Sequence, residues 1–304
     1  MIDRACISLT SKCQLNCVYC HFDKHIDKSD CADMESENLR TVLKNIKNYA
    51  EEKHTAFKIG LVGSGEPLLR FDLIKESVAF LNEIDAEKTI SLYTISNGIH
   101  CTKEILQFFY QNRQRIKFCF SLDGGKEIHN TCRRFKNGNG TFDKVMESID
   151  LYKSIFNESP SINATVHKLT VANAEKTLPF FENNFSEVCF SRLVDEPAPE
   201  LYISKAEFNS FMEKAIKTKL SLRQCRKPQK YDCTMYGQLC GVGRTNIFYA
   251  NGKVYPCGRF IGNEKFCLGN ETDSLFDIEK NMAWITPCKD GDCYFDENIA
   301  RSSF

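Results

Sequence analysis

Between residues 4 and 194 short apolar runs alternate with longer amphipathic stretches, and this rhythm constrains the chain more than any other feature. Each pair reads as a strand followed by a helix, and repeated units of that kind build a parallel sheet. The expected strands are "ACISLT", "FKIGLVG", "TISLYTIS", "IKFCFSLD", "SINATVH" and "EVCFSRLV". Helices are expected over 34–52, 71–84, 103–112, 142–156 and roughly 173–184, with Asp72 and Thr141 placed to cap two of them. Six strands and five helices fit a partial parallel barrel or an open doubly wound sheet, and periodicity does not choose between them. In both architectures ligands gather at the carboxyl ends of the strands, so the residues just after each strand carry the most information.

After "VDEPAPE" (194–200) the texture changes. A helix over 204–220 leads into a loop-rich segment holding Cys225, Cys233, Cys240, Cys257, Cys267, Cys288 and Cys293. Within it "TNIFYANGKVYP" reads as a hairpin around Asn251 and Gly252. So few periodic apolar residues call for bound metal as a cross-link. Two units are therefore expected, 1–198 and 199–304.

Sixteen cysteines in 304 residues need an explanation. Forty basic and forty acidic side chains leave no global field for nucleic acid. No apolar run reaches membrane-spanning length, and "MIDRACISLT" is no signal peptide, so a cytoplasmic protein is expected. Thiols in a reducing compartment serve as ligands or reactive groups more readily than as disulfides. Cys6, Cys119 and Cys189 lie inside strand-like runs, where the expectation is a buried small hydrophobe.

Cys13, Cys17 and Cys20 follow the first strand with the spacing C-x3-C-x2-C. Soft thiolates so close together suit an iron-sulfur cluster, or zinc with His21 or His25 as fourth ligand. Three thiolates on a cubane leave one iron open to an outside ligand.

With Tyr19 at the aromatic position, this loop resembles the signature of the radical S-adenosylmethionine (SAM) superfamily. The resemblance implies that SAM chelates the open iron of a [4Fe–4S] cluster and is cleaved reductively to a 5'-deoxyadenosyl radical. It also assigns roles at later strand ends. In "GSGEP" (63–67) Gly65 would let the backbone approach the methionine amino group and Glu66 would neutralise it, with Ser64 standing where the family has glycine. In "ISNG" Ser96 and Asn97 would hydrogen-bond the cofactor. In "FSLDGGKEIHNTCRRF" Ser121 and Asp123 would face the ribose and Arg133 the carboxylate, with Arg134 as a neighbouring alternative. His129 and His167 are read as structural hydrogen-bonders.

The stretch "CGVGRTNIFYANGKVYPC" resembles the opening half of the SPASM region, which binds an auxiliary cubane in radical SAM enzymes that modify peptides and proteins. Only "CKDGDC" follows, so the simpler count is one auxiliary cluster, as in the shorter twitch type. Its expected ligands are Cys240, Cys257, Cys288 and Cys293, with Cys233 able to displace Cys288 and structural zinc as the competing occupant. The resemblance thus implies a partial (β/α)6 TIM-like barrel followed by a cysteine-rich SPASM/twitch domain. It implies hydrogen abstraction from a residue of a ribosomally made precursor peptide, ending in a carbon-carbon or thioether cross-link or in epimerisation. The alternative is formylglycine formation on a protein, as in anaerobic sulfatase-maturating enzymes.

The expected partners are the precursor peptide and an external electron donor such as flavodoxin or ferredoxin. Because Cys13 stands so early, the leader is expected to be recognised elsewhere on the chain or by a separate leader-peptide-binding protein. Neither nucleic acid nor membrane is. Asp232, beside Cys233, is the candidate base, and Cys225 and Cys267 are candidate hydrogen-atom donors for an epimerase.

Overall fold

The computed structural model describes residues 1–22, 32–193, 198–223, 231–286 and 293–295. The six expected strands form as β1 (Arg4–Ile7), β2 (Phe57–Leu61), β3 (Ile90–Ser96), β4 (Ile116–Ser121), β5 (Ser161–Val166) and β6 (Glu187–Arg192). They pair in parallel and in sequence order. A doubly wound sheet would reverse its order at a switch point, so an unbroken order is that of a partial barrel.

The helices outside it are α1 (Ser36–Glu52), α2 (Phe71–Ile84), α3 (Lys103–Gln111), α4 (Lys126–Cys132), α5 (Phe142–Phe156), α6 (Lys168–Ala172), α7 (Ala174–Asn184) and α8 (Lys205–Ala215). Periodicity missed α4 and α6 because seven and five residues are too few to show a helical repeat. The two expected caps are corrected. Asp72 lies inside the first turn of α2, paired with Arg70 at 3.1 Å. Thr141 does precede α5, but its hydroxyl donates to the Arg133 carbonyl at 3.0 Å instead of capping the helix.

Strand alternation decides which residues face the lumen. Phe118 packs outward on Phe109 at 4.6 Å, Phe120 on Tyr152 at 5.9 Å, and Phe190 on Phe181 and Phe211. Each phenylalanine so buried stabilises the layer by about 1.5–3 kcal/mol. Their neighbours Cys119, Ser121 and Cys189 therefore point inward. Cys119 is buried as expected but not as a hydrophobe, for its sulfur accepts a hydrogen bond from Arg223 at 3.1 Å. Cys6 is half-buried with its thiol 3.7 Å from the Tyr93 hydroxyl.

The C-terminal part does not stand apart. Beyond α8 come β7 (Ser221–Leu222), which extends the sheet past β6, and a separate parallel pair, β8 (Tyr231–Asp232) and β9 (Leu239–Cys240). Then β10 (Asn246–Ala250) and β11 (Lys253–Tyr255) form the expected hairpin, and β12 (Gly269–Asn270) adds to its edge. Asn251 and Gly252 both have positive φ, 55° and 73°, as a two-residue turn of this twist requires. Strand β10 joins β1 in parallel, Arg4 against Asn246 through Ile7 against Tyr249, so one ten-stranded sheet runs through both expected units.

The core is shared too, with Tyr249, Val254 and Tyr255 buried in one cluster with Ile2 and Ile7. Helix α9 (Leu275–Asn281) seals it against α1, Phe276 lying 5.0 Å from Tyr49 and Glu279 pairing with Lys53 and the N-terminal amine, each at 3.0 Å. Among the described residues no helix is long and apolar enough to cross a membrane.

Candidate active site

The three-cysteine loop crosses the mouth of the barrel after β1, and backbone pairing holds it on two sides. On one side Val18 N–H donates to the Cys132 carbonyl at 2.9 Å, Asn16 N–H donates to that of Arg134 at 2.8 Å, and Leu15 bridges Phe135. On the other, Glu66 N–H donates to the Lys12 carbonyl at 2.9 Å. Gly65 makes this approach possible, since a Cβ there would lie 2.4 Å from the Lys12 oxygen and 2.5 Å from that of Thr10. The expected close approach of Gly65 to the cofactor is thus, in the structure, an approach to the cysteine loop. Ser64 adds to the clamp through the Ser8 hydroxyl at 2.9 Å.

Glu66 is buried at the end of this clamp. One of its oxygens accepts from the Ser96 hydroxyl at 2.8 Å and Leu68 N–H at 3.1 Å, the other from Asn97 N–H at 2.8 Å. The Asn97 amide in turn reaches the Cys13 sulfur at 3.6 Å and Gln14 Oε1 at 3.3 Å. Glu66, Ser96, Asn97 and Cys13 are therefore one network spanning three strand ends, as their motif positions suggested. Burial pushes the Glu66 carboxyl up against the opposing pull of these donors. Cys101, which the sequence reading did not single out, lies beside Ser96 and Glu66.

Burial also raises the Cys13 thiol, and it pushes Cys17 up to about 12 against the opposing charge of Arg133. Both feel Cys20, so the three thiols form one electrostatic group. Such thiols stay protonated until a metal displaces the proton. The donor set fits a cubane, whose thiolates are spread around its corners. His25, one of the two fourth ligands named for the zinc alternative, lies outside the described residues.

Behind the loop lies Asp123, fully buried. The Tyr19 hydroxyl and Arg133 Nε, at 3.0 Å, both donate to its Oδ2, while Thr165 N–H donates to Oδ1 at 3.0 Å. Arg133 also sits over the Tyr19 ring at 5.5 Å. Asp123 and Tyr19 were expected to touch the cofactor; here they tie the cysteine loop to β4, β5 and Arg133. Only Nε of Arg133 is engaged, and its terminal fork makes no hydrogen bond among the described residues. Arg134 is exposed and turned to the Asn130 carbonyl at 3.0 Å, away from this site.

Burial alone would raise the Asp123 carboxyl, yet the charge of Arg133, with smaller contributions from His129 and His167, holds it below the usual range. His129 is driven down to about 4 by burial, and its Nε2 meets the Thr141 hydroxyl at 2.9 Å. Burial lowers His167 as well, whose Nε2 lies 3.3 Å from the Cys132 sulfur. Both rings are neutral structural partners, as read from the sequence.

The second thiol group sits on the hairpin side. Burial raises Cys257, and the neighbouring charges of Cys293 and Cys240 raise it further. Arg259 joins two of them, its backbone N–H donating to Cys257 sulfur at 3.4 Å and its side chain to Cys293 sulfur at 3.0 Å. Cys233 follows directly on β8, where Asp232 pairs with Cys240. Cys288 and Cys225 lie outside the described residues, as does the side chain of Asp232. Cys267 bonds to the Gly269 carbonyl at 3.5 Å. Aromatic rings link the two thiol regions, Phe22 lying 6.2 Å from Phe248 and His21 5.9 Å from Phe295.

The relatives of this chain share its length as well as its motifs. The cysteine-type anaerobic sulfatase-maturating enzyme of Clostridium novyi (strain NT) is 30% identical over 334 residues, 93% of this chain and 85% of that one. Native anSMEcpe with bound AdoMet superposes with a TM-score of 0.77 at 20% identity, covering 96% of this chain and 86% of the other. Streptococcus suis SuiB bound to precursor peptide SuiA gives 0.68 at 13% identity, covering 94% and 67%. At those identities the two structures attest the fold. The family model of the Radical SAM superfamily matches residues 7–180, from the last residue of β1 into α7. The whole cysteine loop and every strand end that braces it lie inside that match, and the chain belongs to the radical SAM superfamily.

Proposed function

We propose that this protein is a radical SAM enzyme that modifies a residue of a ribosomally made precursor peptide. The observation that carries the reading is the juxtaposition of two thiol groups across neighbouring strands, Cys13, Cys17 and Cys20 after β1 and Cys240, Cys257 and Cys293 around the hairpin that β10 begins. Cys13, Cys17 and Cys20 would hold a [4Fe–4S] cluster that, when bound, supplies the electron for cleaving SAM to a 5'-deoxyadenosyl radical. Glu66 and the Asn97 amide stand where the amino end of SAM is to be held, and the open fork of Arg133 suits its carboxylate. Ser121 is left for the ribose. Asp123 positions Arg133 and Tyr19 and so fixes the distance between cofactor and loop.

The second group, completed by Cys288 or Cys233, would hold one auxiliary cluster able to accept the electron left by an oxidative cross-link. Asp232 remains the proposed base, and the boundary near 198 the proposed junction between barrel and auxiliary unit. A cytoplasmic setting, with flavodoxin or ferredoxin as electron donor and a separate leader-binding protein, completes the proposal. A second reading, formylglycine formation on a protein, is favoured by the 30% identity to a sulfatase-maturating enzyme.

The test is anaerobic reconstitution with iron and sulfide, reduction by dithionite, and addition of SAM. Formation of 5'-deoxyadenosine supports the enzymatic reading, and its absence overturns both versions. With a precursor peptide present, loss of two hydrogens marks a cross-link and deuterium uptake from solvent marks epimerisation. A carbonyl trapped by hydrazide on a sulfatase peptide selects the second reading.

A further inference from the structure

One row of lumen residues runs level around the barrel from β4 to β6. Ser121 pairs with Asn163, and Asn163 pairs with Cys189. Val188 pairs with Leu222, and Arg223 follows directly after β7. Ser121 marks the side where SAM is proposed to lie, and Arg223 contacts Cys119 on the same strand and Asn163, the residue paired with Ser121. The short helix after Cys233 brings Tyr236 close enough to feel the guanidinium charge. Arg223 thus reaches into the barrel lumen, beside inward side chains of β4, β5 and β6.

Its partners differ from those of Arg115 and Arg133. Arg115 meets Asp85 at 2.6 Å and Arg133 meets Asp123 at 3.0 Å. Arg223 donates to the Cys119 sulfur at 3.1 Å, to Asn163 Oδ1 at 3.4 Å and to Cys189, and among the described residues no carboxylate pairs with it. Thiols are weak acceptors, and a guanidinium has five N–H groups in a planar fork. A sequestered charge held only by neutral groups lacks the anion that would offset its desolvation. The fork geometry suits a carboxylate.

We propose that Arg223 binds a carboxylate of the substrate peptide, on an Asp or Glu side chain or at its C-terminus, and thereby sets which residue lies in front of SAM. This rests on the peptide reading of the site. The test incubates the reconstituted holoenzyme with pools of randomised hexapeptides, one pool with free C-termini and one amidated, and sequences the retained peptides by mass spectrometry.

Wild type is expected to enrich acidic residues at one position, or free C-termini over amidated ones, by about tenfold, the size of a charge-assisted hydrogen bond. The first outcome identifies a side-chain carboxylate and the second a terminal one. Arg223→Gln is expected to lose the enrichment, Arg223→Glu to replace it by Lys and Arg, and Arg223→Lys to keep a weaker version. Iron content per chain confirms that each variant has folded, and the Arg223→Lys pattern decides the matter if the others lose iron. Peptides retained without acidic preference, or with the same preference in wild type and Arg223→Gln, overturn the proposal. If no peptide is retained and SAM is not cleaved, the peptide reading fails with it.

Discussion

The two thiol regions are built on opposite plans. The loop of Cys13, Cys17 and Cys20 is held by hydrogen bonds from residues distant in sequence: Cys132 and Arg134 on one side, Glu66 and Asn97 on the other. The group of Cys240, Cys257 and Cys293 rides on a hairpin joined to β1, and Arg259 ties two of its thiols, Cys257 through its backbone N–H and Cys293 through its side chain. Polar networks fix direction and distance, whereas strand pairing and apolar packing fix mainly position. The difference matches the proposed tasks. A site that must aim a radical at one hydrogen needs its cofactor preorganised, and a site that accepts an electron tolerates looser support.

The strongest way to break this comparison is to remove one ligand from each side. Cys17→Ala is expected to abolish 5'-deoxyadenosine formation while iron at the second group persists. Cys257→Ala should lose the second group's iron and most product, and retain iron at the first. Iron analysis with quantified 5'-deoxyadenosine checks both, and identical iron loss in the two variants contradicts two separate centres.

Glycine substitutions sharpen the contrast. A Cβ at Gly65 would collide with the Lys12 and Thr10 carbonyls, so Gly65→Ala must displace the cysteine loop. We expect SAM cleavage to fall about a hundredfold, as misplacement by an ångström does elsewhere. At Gly252 nothing lies within 4 Å, and only the φ of 73° opposes a side chain. Gly252→Ala should therefore cost about 1–2 kcal/mol, seen as a melting shift of a few degrees.

Much of the first region was legible in the sequence because its side chains follow successive strands at motif spacing. Cys13, Cys17, Cys20, Glu66, Ser96 and Asn97 all follow strands that the sequence predicts. The pairing of Asn16 and Leu15 with Arg134 and Phe135 was not, since backbone hydrogen bonds leave no mark on residue type. Asp123 was found by position, but its work of fixing Tyr19 and Arg133 needed geometry. The union of β10 with β1 was hidden because long-range parallel pairing has no local signature. Arg223 escaped because β7 has two residues, too few to show alternation.

Ion pairs test how much each region depends on its network. Asp123→Asn leaves Arg133 buried without its counter-charge, and breaking such a pair costs about 3–5 kcal/mol. Lys253 and Glu264 pair at 2.6 Å on the exposed hairpin surface, where Glu264→Gln should cost less than about 1 kcal/mol. Denaturant unfolding of both variants measures the gap. Equal costs would mean that the Asp123 network supports the loop no more than a surface pair supports the hairpin.

A further contrast concerns acid. His129 is held neutral, with its pKa lowered from 6.5 to about 4 by burial, so between those values the unfolded chain binds a proton that the folded chain refuses. Stability therefore rises with pH across that window, and is lost as pH falls from about 6.5 towards 4, by about 3 kcal/mol in full. His167 is lowered in the same direction and adds to the slope. Residues 199–304 contain no histidine, so this contribution belongs to the first region alone. Hydrogen exchange at pH 7 and pH 5 should show α4 and the cysteine loop loosening while the β10–β11 hairpin keeps its protection. His129→Gln should flatten the difference, since a neutral amide has no proton to gain. If the hairpin loosens as much as α4 does, the shared sheet transmits the strain, and the two regions unfold as one unit.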